Sequence, residues 1–479
     1  MLLLLIALLS PPVNVDPNDA VARAVDQLQQ AFDAKNGGFG GAPKLPLAPA
    51  LDFLLRSGGP LGRDMALRTL RAMANGAIHD QIGGGFHRIS TDAEWRQPHY
   101  EKTLTDQALL AIDYLEAWQL TRDPQFESVA RDTLDYVLEI RVPGGGFASS
   151  ENASSLVPGK SGPELVEGAY YLWAPDQLRF LFKDAATAAR YYGIDQPRSL
   201  PYVADPFTDI TAIRAKMKEV RDKRPSPALD MTVNIGANGL AISALARAGA
   251  AFGERRYIDG AKDAAKVIRT KFGARASSPA VSERPARSPN DYAFVIAGML
   301  DLFEATGDVS LLEFAVTLQN KQDALFWNES ESRYENGGDA PETALPTASS
   351  VSASNLLRLG EFTNSDAWRD RARSVFRGYG AILEREPSKL PAMVAAITMT
   401  LATPRLFVIA GNPLNPDTKA LLRAAHERFV PFRIIVPLAN DASRQRLANY
   451  LPFVKEMKPV EKKARAWVCE HYDCKLENQ

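Results

Sequence analysis

The chain has 479 residues, 46% of them hydrophobic and 24% charged, an ordinary globular composition with core enough for two or three domains. Lys plus Arg number 56 against 57 Asp plus Glu, a formal net charge of -1, which gives no electrostatic reason to expect nucleic acid or an anionic membrane surface. Two cysteines exclude a disulfide framework and a four-cysteine zinc site.

Leu2 to Leu9 is apolar but falls well short of the roughly 18 to 20 residues that span a bilayer, so no membrane span is expected. It resembles the h-region of a signal peptide. Yet no Lys or Arg precedes it, and no A-x-A site follows before Pro11-Pro12. Residues 1–17 are read as an apolar leader or a truncated start. A cytoplasmic location is the expectation, replaced by export if Leu2–Leu9 is a signal.

From Asn18 the pattern is helical. Asn18-Asp19 can cap a first helix carrying Val21, Val25, Leu28 and Phe32, which ends at Gly37-Gly38. Leu67, Leu70, Met73 and Ala77 mark another helix, and Leu104, Ala108, Ala111, Leu115 and Trp118 the next. Asp123-Pro124 opens a helix bearing Phe126, Ala130, Leu134 and Val137, with proline at the favoured first position. Three later pairs repeat this design. Leu240 to Ala251 leads into Ile258 to Ile268, Val295 to Ala305 into Leu311 to Leu318, and Val351 to Leu359 into Trp368 to Tyr379. Short polar turns join the members of a pair. Between pairs the chain returns through glycine-rich loops with one aromatic: Gly37-Gly38-Phe39, Gly84-Gly85-Phe86 and Gly145-Gly146-Phe147. This is a degenerate hairpin repeat of roughly 50 to 60 residues, the signature of a stacked array. Periodicity does not choose between a closed α/α toroid and an open solenoid. Arg275 to Pro289 reads as a surface loop.

After Ala402 strands and helices alternate. Leu406–Ala410 and Phe432–Val436 read as neighbouring parallel strands, Asp417–Phe429 and Asp441–Leu451 as helices, and Ala466–Cys469 as a third strand. Residues 18–402 thus form the helical array and 403–479 a small α/β appendage. Four residues separate Cys469 from Cys474, so they are no thioredoxin-type motif. They can pair across a short loop or pack as two thiols.

Between Ala77 and Ala108 three of the five histidines, His79, His87 and His99, gather with Asp80, Arg88, Trp95, Glu101, Lys102 and Asp106. Such a loop carried on a rigid scaffold is a place for binding and chemistry, or else a hairpin connection with solvated charges. His87 and His99 suit acid-base work near neutral pH. Arg88 could stabilise an enolate-like charge. Asp80, Glu101 and Asp106 offer carboxyls, although Glu101 also suits a helix start and Asp106 a buried hydrogen-bonding role. Phe86, Trp95 and Tyr171, with Phe39, Tyr170 and Trp173, could stack on a ligand or simply pack the array. The histidines lack a His-x3-His spacing, so no metal is expected.

Taken together, GGFGGAPKLP (Gly37–Pro46), HDQIGGGFHR (His79–Arg88), PHYEKTLTDQA (Pro98–Ala108), DYAFVIAGMLDLFEATGD (Asp291–Asp308), NLLRL (Asn355–Leu359) and WVCEHYDC (Trp467–Cys474) resemble the spermatogenesis-associated protein 20 family. That resemblance implies an (α/α)6 toroid similar to N-acylglucosamine 2-epimerase and six-hairpin glycosidases, joined in the family to a thioredoxin-like domain with a cysteine pair. That domain is missing from the front of this sequence. Two aspartates of the family look like Asn152 and Ser154 here. An Asp-Asp-Lys and Trp-Asn pattern is reduced to Asp230 and Asn238, and a Glu-Pro-Ser-Gly-Asn loop to LPTAS at Leu345–Ser349. Asn and Ser can hydrogen-bond a hydroxyl but cannot act as a carboxylate base. The implied function is that of a carbohydrate-active toroid, epimerase-like or glycosidase-like, with a partly degenerate cleft. His87, His99, Glu101 and Asp80 would be catalytic. Arg88, Trp95, Asp106, Phe86 and Tyr171 would bind a small sugar, and no cofactor is expected. The other reading is a non-catalytic binding or redox-partner module that works with a thioredoxin-like partner.

Overall fold

The computed structural model describes residues 15–159, 162–206, 209–273, 288–334, 341–401, 404–461 and 463–477. The Leu2–Leu9 segment and nearly all of the Arg275–Pro289 loop lie outside them.

Six helices form an inner ring: α2 (Ala48–Ser57), α4 (Leu104–Thr121), α9 (Ile235–Phe252), α11 (Pro289–Thr306), α13 (Ala348–Thr363) and α16 (Pro391–Thr398). Each packs on the next, and α16 packs back on α2, so the ring is closed rather than an open solenoid. Outside it lie α3 (Gly59–Asn75), α5 (Pro124–Glu139), α10 (Arg255–Gly273), α12 (Val309–Phe326) and α14 (Asp366–Gly378), each packed on the inner helix that precedes it. The sixth outer position is filled by the first helix, α1 (Pro17–Ala31), which packs on α16. The fold is an (α/α)6 toroid.

Hydrophobic patterning explains which helix goes where. The outer helix α10 carries an apolar stripe and a charged face. Inner α9 is apolar but for Asn238, Ser243 and Arg247, and is buried along almost its whole length. Among the described residues it is the one helix long and apolar enough to cross a membrane. Here its apolar surface is used up inside the ring. Gly239 of α9 and Gly298 of α11 meet at the crossing, where a Cβ on Gly298 would collide with the Gly239 carbonyl.

The inner helices α4, α9, α11 and α13 all end in a left-handed residue: Arg122, Gly253, Gly307 and Asn364. Asp123 and Asp308 then cap the outer helices that follow. These tight turns lie at one end of the ring and the glycine-rich loops at the other. In each glycine loop a bridge closes across the turn: Phe32 with Phe39, His79 with Phe86, Arg141 with Phe147. Inner-helix amides clamp two of them. Gln107 bonds both the N–H and the C=O of Phe86, and Asn238 does the same for Phe147. The first helix differs slightly from expectation. Its cap is Asp16, and it stops at Ala31, before the glycines.

A long excursion separates α5 from α9. It holds a hairpin (Ser154–Gly159 with Gly162–Glu167), then α6 (Pro175–Leu181), α7 (Ala185–Tyr192) and α8 (Thr211–Arg221). Trp173, Leu178, Tyr192 and Met217 make a small second core there with Ile82.

At the chain's end, Arg405–Ala410 pairs in parallel with Ile434–Leu438, as expected. The helix between them is α17 (Pro416–Glu427), and α18 (Asp441–Leu447) follows. The third strand, Arg465–Glu470, is antiparallel to Arg405–Ala410 and turns back through Asp473–Leu476. Cys469 and Cys474 are opposite each other in that hairpin and form a disulfide. Alternate residues face opposite ways. Leu406, Val408, Ile434 and Val436 join the toroid's core, whereas Phe407, Ile409 and Ile435 pack under α17.

Candidate functional site

The His79–Asp106 loop is mostly a structural joint. Asp80 is buried and receives Arg221 Nη1 at 2.7 and 2.9 Å and Lys102 Nζ at 2.8 Å. Its Oδ1 also accepts the Ile82 and Gly83 N–H groups. Burial alone would raise its pKa, but Arg221 and Lys102 hold it well below the usual carboxylate range. With every lone pair engaged, Asp80 is no catalytic acid. It ties α8 to the glycine loop.

His87 is fully buried. Nδ1 meets the Tyr100 carbonyl at 3.0 Å, and the ring sits edge-on to Tyr171. Burial and the nearby Lys102 charge push its pKa down to about 3, so it stays neutral and out of reach of any substrate. Phe86, Trp95 and Tyr171 are buried too, which removes them as sugar platforms. Phe86 stacks on Tyr114, Trp95 donates to the Asn36 carbonyl at 3.0 Å, and Tyr171 donates to Glu151. Asp106 accepts from Thr103 Oγ1 in the first turn of α4, and burial raises it to about 6. Asp80 and Lys102 are therefore spent on joining the excursion to the ring.

Three of the expected residues, Arg88, His99 and Glu101, do reach an open surface. His99 and Glu101 line a cleft of about 510 Å³ at the glycine-loop end, with Asn152, Ser154, Glu167 and Asp230. His99 Nδ1 lies 2.7 Å from Glu167, and Arg88 Nη1 lies 2.8 Å from Glu101.

None of the nine expected residues lines the central cavity, a space of about 220 Å³ walled by all six inner helices. Its polar groups come in pairs three or four residues apart. They are Asp52 and Arg56 on α2, Asp113 and Glu116 on α4, Ser243 and Arg247 on α9, Asp301 and Glu304 on α11, and Ser354 and Arg358 on α13. At that spacing two side chains share one helix face, here the face turned inward. The sequence held this signal: on α4, α9 and α11 these pairs interrupt otherwise apolar helices.

The pairs interlock across the ring. Arg56 Nε meets both Glu116 oxygens at 2.9 and 3.1 Å, Arg247 donates to the same carboxylate, and Arg56 reaches Asp52 at 3.0 Å. Burial would raise Glu116, but the two guanidiniums overcome it and bring it to about 2. Opposite, Arg358 bridges Asp301 at 2.7 Å and Glu304 at 2.8 Å. Burial, with Glu116 adding to it, pushes Asp52 up to about 6 against the pull of Arg56. Burial likewise raises Glu304.

The appendage closes the tight-turn end of this cavity with Phe429 to Ile434. Gln119 Nε2 donates to the His426 carbonyl at 2.6 Å, and Arg122 donates to that of Glu427 at 2.7 Å. His426 is the one histidine at the cavity wall. It faces the Glu304 carbonyl, and burial and Arg433 push it down to about 3, so it carries no proton near neutral pH.

Asp113 is buried, and its Oδ2 has no partner among the described residues. Burial, then Asp52 and Glu116, raises it well above its ordinary 3.8. Between those two values the native state keeps a proton that the unfolded chain has released, so stability falls as pH rises, by about 1.4 kcal/mol per pH unit. Asp113→Asn has no such proton. Urea titrations from pH 4 to 8 should show the variant gaining on the parent as pH increases. A constant difference would show that Asp113 is ionised throughout.

Against known proteins, the chain is 33% identical to human spermatogenesis-associated protein 20, over 97% of this chain and 68% of that protein. The mouse protein of the same name is also 33% identical, over 95% and 67%. No protein-family model matches. Among solved structures, a D-mannose isomerase superposes with TM-score 0.51 at 12% identity, over 80% of this chain and 96% of that one. A GH76 alpha-mannanase from Bacteroides thetaiotaomicron gives 0.51 at 11% identity, over 81% and 98%. At such identities these two speak for the toroid alone. The sequence relationship goes further, for it runs nearly end to end, and on that ground the chain belongs to the spermatogenesis-associated protein 20 family.

Proposed function

We propose that the chain recognises a small carbohydrate-type ligand in the central cavity and performs at most weak acid-base chemistry on it. The observation that carries this reading is the convergence of polar pairs from five inner helices on one enclosed space. A wall of carboxylates and guanidiniums suits a ligand rich in hydroxyls, which both donate and accept. Asp52 on α2 and Glu304 on α11 both hold protons more tightly than an ordinary carboxyl. Ring order puts those helices on opposite sides, the arrangement that proton transfer to and from a sugar would use. Glu304 is tied to Arg358, and His426 is neutral, so turnover should be slow.

The competing site is the open cleft of His99 and Glu101, favoured by the His99–Glu167 contact. One pair of variants separates the two. Ala297 lines the central cavity, and Ala297→Leu fills it without touching a charge. Calorimetric titration with monosaccharides should show binding by the parent, loss of about tenfold or more in Ala297→Leu, and no change in His99→Ala. The opposite outcome moves the site to the cleft. Rapid epimerisation or glycoside cleavage by the purified parent would overturn the expectation of weak chemistry.

A further inference from the structure

We infer that the ligand of the central cavity is a monosaccharide-sized polyol bearing one anionic group, carboxylate or phosphate, seated at the end where Arg56, Arg247 and Arg433 converge. This inference rests on the central cavity being the binding site, and it adds the ligand's charge and orientation.

The two ends of the cavity are charged differently. On the α11–α13 side, Arg358 is matched by two carboxylates, Asp301 and Glu304. On the α2–α4–α9 side Arg56 and Arg247 meet Glu116 and Asp52, and the excess of cation comes with Arg433. Glu116 sits between Arg56 and Arg247, only 4% exposed, while those arginines keep 21% and 19% of their side-chain surface. The carboxylate is behind and the guanidiniums are in front. Asp52 pairs with Arg56 from the same helix.

The appendage then adds a third cation. Arg433 donates through Nη1 to the Arg428 carbonyl at 2.9 Å and through Nη2 to the His426 carbonyl at 3.2 Å. Its Nε has no hydrogen-bond partner, and among the described residues it forms no ion pair. Burial and the neighbouring Arg247 charge lower its pKa to about 10, against the pull of Glu304 and Glu116. Three guanidiniums line this end of the cavity against two carboxylates, Glu116 and Asp52, and an anion there would balance the cation left over. An arginine fork matches a carboxylate or phosphate geometrically. At the far end, Asp301 and Glu304 can accept hydroxyl hydrogens from the rest of the ligand. The cavity thus favours one orientation, with the acid toward the appendage and the hydroxyls toward α11 and α13.

The test compares D-glucose, D-glucuronate and D-glucose 6-phosphate by calorimetry on the full chain, at fixed ionic strength. One or both anionic sugars should bind about tenfold or more tightly than glucose. Which of them leads tells carboxylate from phosphate. In Arg433→Gln that preference should shrink to about twofold. Equal or tighter binding of glucose by the parent overturns the inference but leaves the polyol reading standing. Binding of none of the three overturns both. A preference undiminished in a folded Arg433→Gln, checked by circular dichroism, removes Arg433 from the site and overturns the seating.

Discussion

Asp80→Ala should lower the unfolding free energy by about 3 to 5 kcal/mol, the cost of stranding buried charge. The variant leaves Lys102 and Arg221 inside the protein, both nearly inaccessible, with the carboxylate that served them gone. It also frees the Ile82 and Gly83 N–H groups that hold the glycine loop in its turn. Lys102 keeps the Gly84 carbonyl at 2.9 Å and lies over the Tyr136 ring, so it has partial shelter. Arg221 cannot shed its proton and takes most of the penalty. Denaturant unfolding measures the loss. A change below about 1 kcal/mol would mean that the two cations find water or other partners, and the joint would not be the one described.

Glu116→Ala should be comparably severe, about 3 to 5 kcal/mol, for a related reason. It removes the carboxylate between Arg56 and Arg247 and leaves Arg433 facing them. Unlike the Asp80 joint, this cluster borders a cavity that an ion can fill. Added phosphate should therefore raise the melting temperature of Glu116→Ala more than that of Asp80→Ala. Equal responses to phosphate would mean that the arginine cluster is closed to anions.

The toroid was legible because its signals are local. Glycine loops ending in Phe39, Phe86 and Phe147, capping aspartates at Asp123 and Asp308, and helical apolar spacing each act within a few residues. The parallel pair in the appendage was legible for the same reason, through its short apolar run at Leu406–Ala410. The antiparallel return at Arg465–Glu470 was not, since direction is set by what lies beside a strand. The excursion between α5 and α9 went unassigned because its elements are short and its core borrows Ile82 from a distant loop. The site was read poorly where burial decided the outcome. His87 looks like a base in sequence, yet Lys102, Tyr100 and Tyr171 enclose it. The Asp113–Glu116 pair looks like ordinary helix surface until closure of the ring turns it inward.

That closure also sets an order of events during synthesis. The outer position on α16 belongs to α1, more than 350 residues earlier in the chain. As the ribosome works from one end to the other, α1 emerges long before the helix it rests on. Its apolar stripe of Ala20, Ala24, Val25 and Leu28 must wait, uncovered or transiently held, until α16 has emerged. Contacts so distant along the chain slow folding, because a very large loop has to close before they form. Docking of α1 is then a late step, because it waits for α16. Detaching α1 would in turn uncover the α2–α16 seam, so the native ring should resist unfolding piecemeal and come apart as a unit.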